Sequence, residues 1–153
     1  MEIKEVFSRN FVDREADKTI IVRTISHLTG HPPESSLCKW SNCLYLEFKK
    51  DSFPLFTYPK WVEKNPEVSW DRDHFDYYCC SFSGLNWHGG MTFYSEKIVE
   101  GITYVKVGCD YMHSGDEYVY GEGDSGSLIL KNSGVNILRQ FKELYMRLEN
   151  ENN

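Results

Sequence analysis

Two short polar clusters carry the residue types with which this chain could do chemistry. The first is His88-Gly89-Gly90, an imidazole followed by two residues that allow close backbone approach and could turn two N–H groups toward an anion. Thr92 and Tyr94 follow it, two residues apart, on one expected strand face. The second is Asp110-Tyr111-Met112-His113-Ser114-Gly115-Asp116, with two carboxylates and an imidazole within seven residues. Oxygen and nitrogen donors of this kind suit a transition metal or general acid–base work. Asp110 is equally suited to holding His113 in one tautomer through a hydrogen bond. No compact His-x-x-x-His or Cys-x-x-Cys pair accompanies the donors, so the expectation is a pocket that works without metal or other cofactor. The structural alternative is that Asp110 or Asp116 caps a turn while His113 orients loop carbonyls.

A hairpin has to bring the clusters together. Met91 to Ser95 and Ile102 to Cys109 alternate like strands, the latter with Ile102, Tyr104 and Lys106 on one face and Thr103, Val105, Val107 and Cys109 on the other. Lys97 to Gly101 serves as the connection, with Gly101 at a position other residues resist. Pairing Ser95 with Ile102 places His88 opposite Cys109, so His88 and the turn after Asp110 meet at one end of the hairpin. In that pocket His88, Asp110 and His113 are the catalytic candidates. Gly89, Gly90, Thr92 and Asp116 are candidate ligand contacts, and Tyr94 or Tyr111 would stack on a base.

The rest of the chain supplies the frame. Met1 to Asn10 has Ile3, Val6 and Phe7 at helical spacing, and Asp17 to Ile25 carries the β-branched run Thr19-Ile20-Ile21-Val22 of a strand. Gly30 to Ser36, with Pro32-Pro33, is a loop. Asn42 to Lys49 alternates as a strand with Leu44, Leu46 and Phe48 on one face. Pro54, Pro59 and Pro66 punctuate an aromatic segment without period, an expected surface excursion, before a strand from Phe75 to Phe82. Glu117 to Ser127 reads as a loop. Val135 to Asn150 is an amphipathic helix with Ile137, Leu138, Phe141, Leu144, Tyr145 and Leu148 on one stripe and Ser133 as its N-cap. The expected architecture is a single α+β domain over residues 1–153, an antiparallel sheet of four to five strands with the C-terminal helix packed on one face.

Composition narrows the function classes. A net charge of −6 argues against a groove that tracks the phosphates of a long nucleic acid, while leaving room for a local cationic pocket. No apolar run reaches the ~18 residues of a membrane span. Five cysteines, two of them adjacent, fit reduced thiols and a cytoplasmic setting. Gly123-Asp124-Ser125-Gly126-Ser127 is similar to the nucleophile motif of chymotrypsin-like serine proteases, with His27 or His31 and Asp51 earlier in the chain. Only a helix follows Ser125, which leaves little chain to complete a second barrel, so a protease is a distant alternative.

The order of pieces resembles a family of small tailed-bacteriophage proteins. The residues that carry the resemblance are Glu15-Ala16-Asp17-Lys18, the strand around Cys43, His88-Gly89-Gly90-Met91-Thr92-Phe93, Gly108-Cys109-Asp110-Tyr111-Met112-His113-Ser114-Gly115-Asp116 and the final helix. Two departures are Phe53-Pro54-Leu55, where the family carries Gly-His-Pro, and Asn86-Trp87, where it has an acid before His-Gly-Gly. The resemblance implies a phage accessory protein acting against host defence in the host cytoplasm. The expected partner is then a small nucleotide-like ligand, bound or also hydrolysed. A non-enzymatic acidic inhibitor of a host defence protein is the competing class, and a homo-oligomer is compatible with either.

Overall fold

The computed structural model describes residues 3–13, 18–28, 40–59, 80–110 and 124–152. Five strands form one sheet: β1 (Ile3–Asp13), β2 (Lys18–Leu28), β3 (Trp40–Lys49), β4 (Phe93–Val99) and β5 (Ile102–Asp110). Every neighbouring pair is antiparallel, and the spatial order is β1-β2-β3-β5-β4. One long helix, α1 (Asp124–Glu151), packs against β1, β2 and β3. This is the expected α+β arrangement.

Alternation decides which face the helix covers. Ile20 and Val22 of β2, Leu44, Leu46 and Phe48 of β3, Val105, Val107 and Cys109 of β5 and Tyr94 of β4 are all buried. The register stacks them in rows, with Val22 beside Leu46, Leu46 beside Val107 and Val107 beside Tyr94. From α1, Leu130, Ile137, Leu138, Phe141 and Tyr145 close the same core. Their helical spacing presents one apolar stripe, which only burial against the sheet can satisfy.

Several expectations from sequence are corrected. Residues 3–13 form a strand, not a helix: β1 pairs with β2 along its length, with a bulge between Glu5 and Phe7. Helix α1 begins at Asp124, so Ser133 lies in its interior and Asp124 to Ser127 is helical rather than loop. The described start of the segment after β3, residues 50–59, is not purely a surface excursion, and its residues 60–79 lie outside the described set. Phe53 and Phe56 turn inward beneath α1, where Phe56 meets Phe141 with centroids 4.8 Å apart and Phe53 meets Tyr145 at 5.0 Å. The expected strand from Phe75 to Phe82 has its described end in a 3-10 turn, Ser81–Gly84, and its residues 75–79 lie outside the described set. The loop from Gly30 to Ser36 lies outside it too.

The β4–β5 hairpin closes through two residues, Glu100 and Gly101, with φ of 51° and 80°. Left-handed angles at both central positions define a type I′ turn, whose twist matches that of the strands. Val99 therefore pairs with Ile102, and Ser95 pairs with Lys106 instead of Ile102. The true register differs by four residues from the expected one, which moves His88 out of the ladder.

Candidate functional site

Two buried anchors shape the His88 segment. Trp87 is 4% exposed and donates its Nε1–H to the Phe82 carbonyl at 2.8 Å; Met91 is 7% exposed. Between them the chain bulges outward, and the Gly90 N–H closes a turn onto the Trp87 carbonyl at 3.0 Å. Gly89 occupies its third position with φ of 68°, and His88 before it is not left-handed. That is type II geometry, which asks for glycine where Gly89 stands. The turn leaves His88 half-buried and Gly89 exposed. It also consumes the Gly90 N–H, so only one of the two expected glycine amides, that of Gly89, remains to meet an anion.

Helix α1 forms the opposite wall. Gln140 accepts the Asn86 N–H at 2.7 Å and pins the segment to the helix. One and two turns back along α1, Asn136 and Ser133 face His88 across a cleft of about 330 Å³, with Asn86, Gly89 and Leu44 also in its lining. The lining offers an imidazole, amides, a hydroxyl and a backbone N–H. No carboxylate is among its described residues.

The expected partners of His88 distribute differently. The start of β4 and the end of β5 do lie at the same end of the sheet. Asp110, however, follows buried Cys109 and pairs with Cys43, which places it on the face away from α1. Its charge is felt there: burial pushes the Cys43 thiol up, and Asp110 adds to that shift. His88 lies on the helix side, and Asp110 is not among the described residues that line its cleft. His113, Tyr111 and Asp116 lie outside the described residues. Among the described residues no group of three or more potential metal ligands occurs.

Thr92 and Tyr94 are also reassigned. Thr92 precedes β4, and its N–H is spent on the Gly108 carbonyl at 2.9 Å. Tyr94 is fully buried, its ring 6.3 Å from that of Phe82, and its hydroxyl donates to Glu96 at 2.7 Å. Burial first, and the Glu96 charge second, drive its phenol pKa upward. A ring in that position holds the core and has no face for a base. Ser125 sits in the first turn of α1.

Sequence reasoning missed Asn86, Ser133, Asn136 and Gln140 as parts of this site. The signal was present: Ser133, Asn136 and Gln140 are spaced i, i+3, i+7, a polar stripe beside the apolar one. No family model, curated protein or solved structure matches the chain. Among the described residues no helix is long and apolar enough to cross a membrane.

Proposed function

We propose that the chain binds a small phosphate-bearing ligand, such as a nucleotide signal, in the cleft between the His88 turn and α1. The observation that carries this reading is the set of groups converging there: His88, the Gly89 N–H, Asn86, Ser133 and Asn136 around one cleft. Neutral donors and an imidazole in a concave, partly apolar setting suit an anionic oxygen better than a cationic group. The lining favours capture over hydrolysis. Asp110, the carboxylate of the expected acid–base set, faces the other side of the sheet. In the phage setting that the sequence resemblance implies, such a protein acts as a sponge for a host nucleotide signal.

The test is incubation with a panel of cyclic and linear nucleotides, followed by chromatography of the retained and the released material. The reading expects one class of ligand to be retained and recovered unchanged after denaturation. A cleaved product argues for catalysis instead, and no retention of any member removes the reading.

A further inference from the structure

The face of the sheet away from α1 has its own chemistry. Among the described side chains, alternation places Arg23, Lys49, Lys97 and Lys106 there against Glu47 and Asp110, a local excess of cations on a chain whose net charge is −6. The same face carries rings. Tyr45 and Phe93 meet edge to face at 5.3 Å, and the Lys106 ammonium lies 4.3 Å from the Tyr45 centroid. Beside them is a concavity of about 400 Å³ bounded by Arg23, Glu47, Lys97, Tyr104 and Lys106, with Ile21 in its floor.

Glu47 organises the cations. Its carboxylate takes Arg23 at 3.2 Å through one oxygen and Lys106 at 4.0 Å through the other. All three side chains keep 23–33% of their surface exposed, so these pairs are partly screened and their energy is small. What they contribute is placement: two cations are held beside one depression, Lys97 stands exposed at its edge, and Tyr104 is 37% exposed.

We propose that this concavity is a second ligand site, taking a free nucleoside di- or triphosphate. The phosphates lie against Lys97, Arg23 and Lys106, and the base lies on the Tyr104 ring. Arginine and lysine match multiply charged phosphate, and an exposed aromatic face stacks any base. The volume is that of one nucleotide, and the acidic remainder of the chain repels a long polyanion. A free nucleotide therefore fits better than a nucleic-acid strand.

The experiment titrates the full chain with magnesium-free ATP and, separately, with a six-nucleotide single strand. Saturable ATP binding is expected, weakened about tenfold by Lys97→Glu and, through lost stacking, about tenfold by Tyr104→Ala. Arg139→Ala removes a positive charge from an exposed position on α1 and should leave the affinity unchanged. Circular dichroism of each variant separates lost binding from lost folding, and Lys97, being exposed, is the variant least able to disturb the fold. The proposal is overturned by absence of saturable binding, by tighter binding of the single strand than of ATP, or by ATP affinity that survives Lys97→Glu and Tyr104→Ala but is lost in His88→Ala.

Discussion

The Lys50 ammonium lies 3.1 Å from both carboxylate oxygens of Glu96, joining the turn after β3 to the edge strand β4 across 46 residues of sequence. Glu96 is buried and also accepts the Tyr94 hydroxyl at 2.7 Å, while Lys50 passes 4.9 Å from the Tyr58 centroid. Removing one partner strands the other's charge. Lys50→Ala should cost about 2 kcal/mol, below the usual figure for a fully buried pair because a quarter of the lysine side chain is exposed. The triple change Lys50→Met, Glu96→Leu and Tyr94→Phe, which also removes the hydroxyl that Glu96 accepts, should cost clearly less. Urea denaturation of the two variants measures the difference.

Alkaline pH should unfold the protein cooperatively. Burial raises the phenol pKa of Tyr45, Tyr58 and Tyr94 above the ordinary value of 10.0. Above that pH the unfolded chain loses these protons and the folded one keeps them. The folded state then binds more protons, and stability falls as pH rises. The contribution is complete below pH 10.0 and is lost at about 1.4 kcal/mol per pH unit for a tyrosine as buried as Tyr94. Tyr94→Phe should flatten the decline between about pH 10 and 12 in a chemical-denaturation series.

Two backbone positions should respond in opposite directions. Gly108 lies beneath the Tyr45 ring, and a Cβ there would collide with the Leu44 carbonyl oxygen and stand 2.5 Å from Tyr45 Cδ1. Gly108→Ala should therefore destabilise by about 2–3 kcal/mol, the scale of core overpacking. At Glu100, φ of 51° favours asparagine over glutamate, so Glu100→Asn should stabilise by a few tenths of a kcal/mol, roughly. Thermal unfolding of both variants checks the signs.

Gln140 positions the site without entering it. Losing its bond to the Asn86 N–H should loosen the His88 turn and cost about 1 kcal/mol of stability. Hydrogen exchange should show faster amides from Asn86 to Gly90 in Gln140→Ala, with the core strands unchanged. Gln140→Glu keeps an acceptor at that position and should restore the protection.

The sheet was legible wherever one face is buried. Leu44, Leu46 and Phe48, and Val105 and Val107, alternate with less buried residues, and both strands lie where that pattern puts them. The apolar stripe of α1 was equally plain. β1 was misread because the bulge between Glu5 and Phe7 breaks the two-residue alternation of a strand, and apolar residues at 3, 6 and 7 match a helical spacing. The start of α1 was misread because glycine and serine at 125–127 weigh against a helix, whereas Leu130, 2% exposed, packs the preceding turns onto the core.

The site was only half legible, for a related reason. Glu100-Gly101 lacks the asparagine or aspartate that marks a two-residue turn, so the hairpin register was placed four residues away and His88 seemed to meet the β5 terminus. The true register sets His88 against Ser133 and Asn136, more than forty residues ahead in sequence, a pairing that only tertiary packing creates.

The most direct measurement is a residue-resolved NMR titration with inorganic phosphate and with a cyclic dinucleotide. Binding in the cleft predicts saturable shifts at the Gly89 amide, the His88 ring and the Asn136 side chain, all abolished in His88→Ala. Saturable shifts confined to Arg23, Lys97 and Lys106, or none at any of these residues, would contradict it.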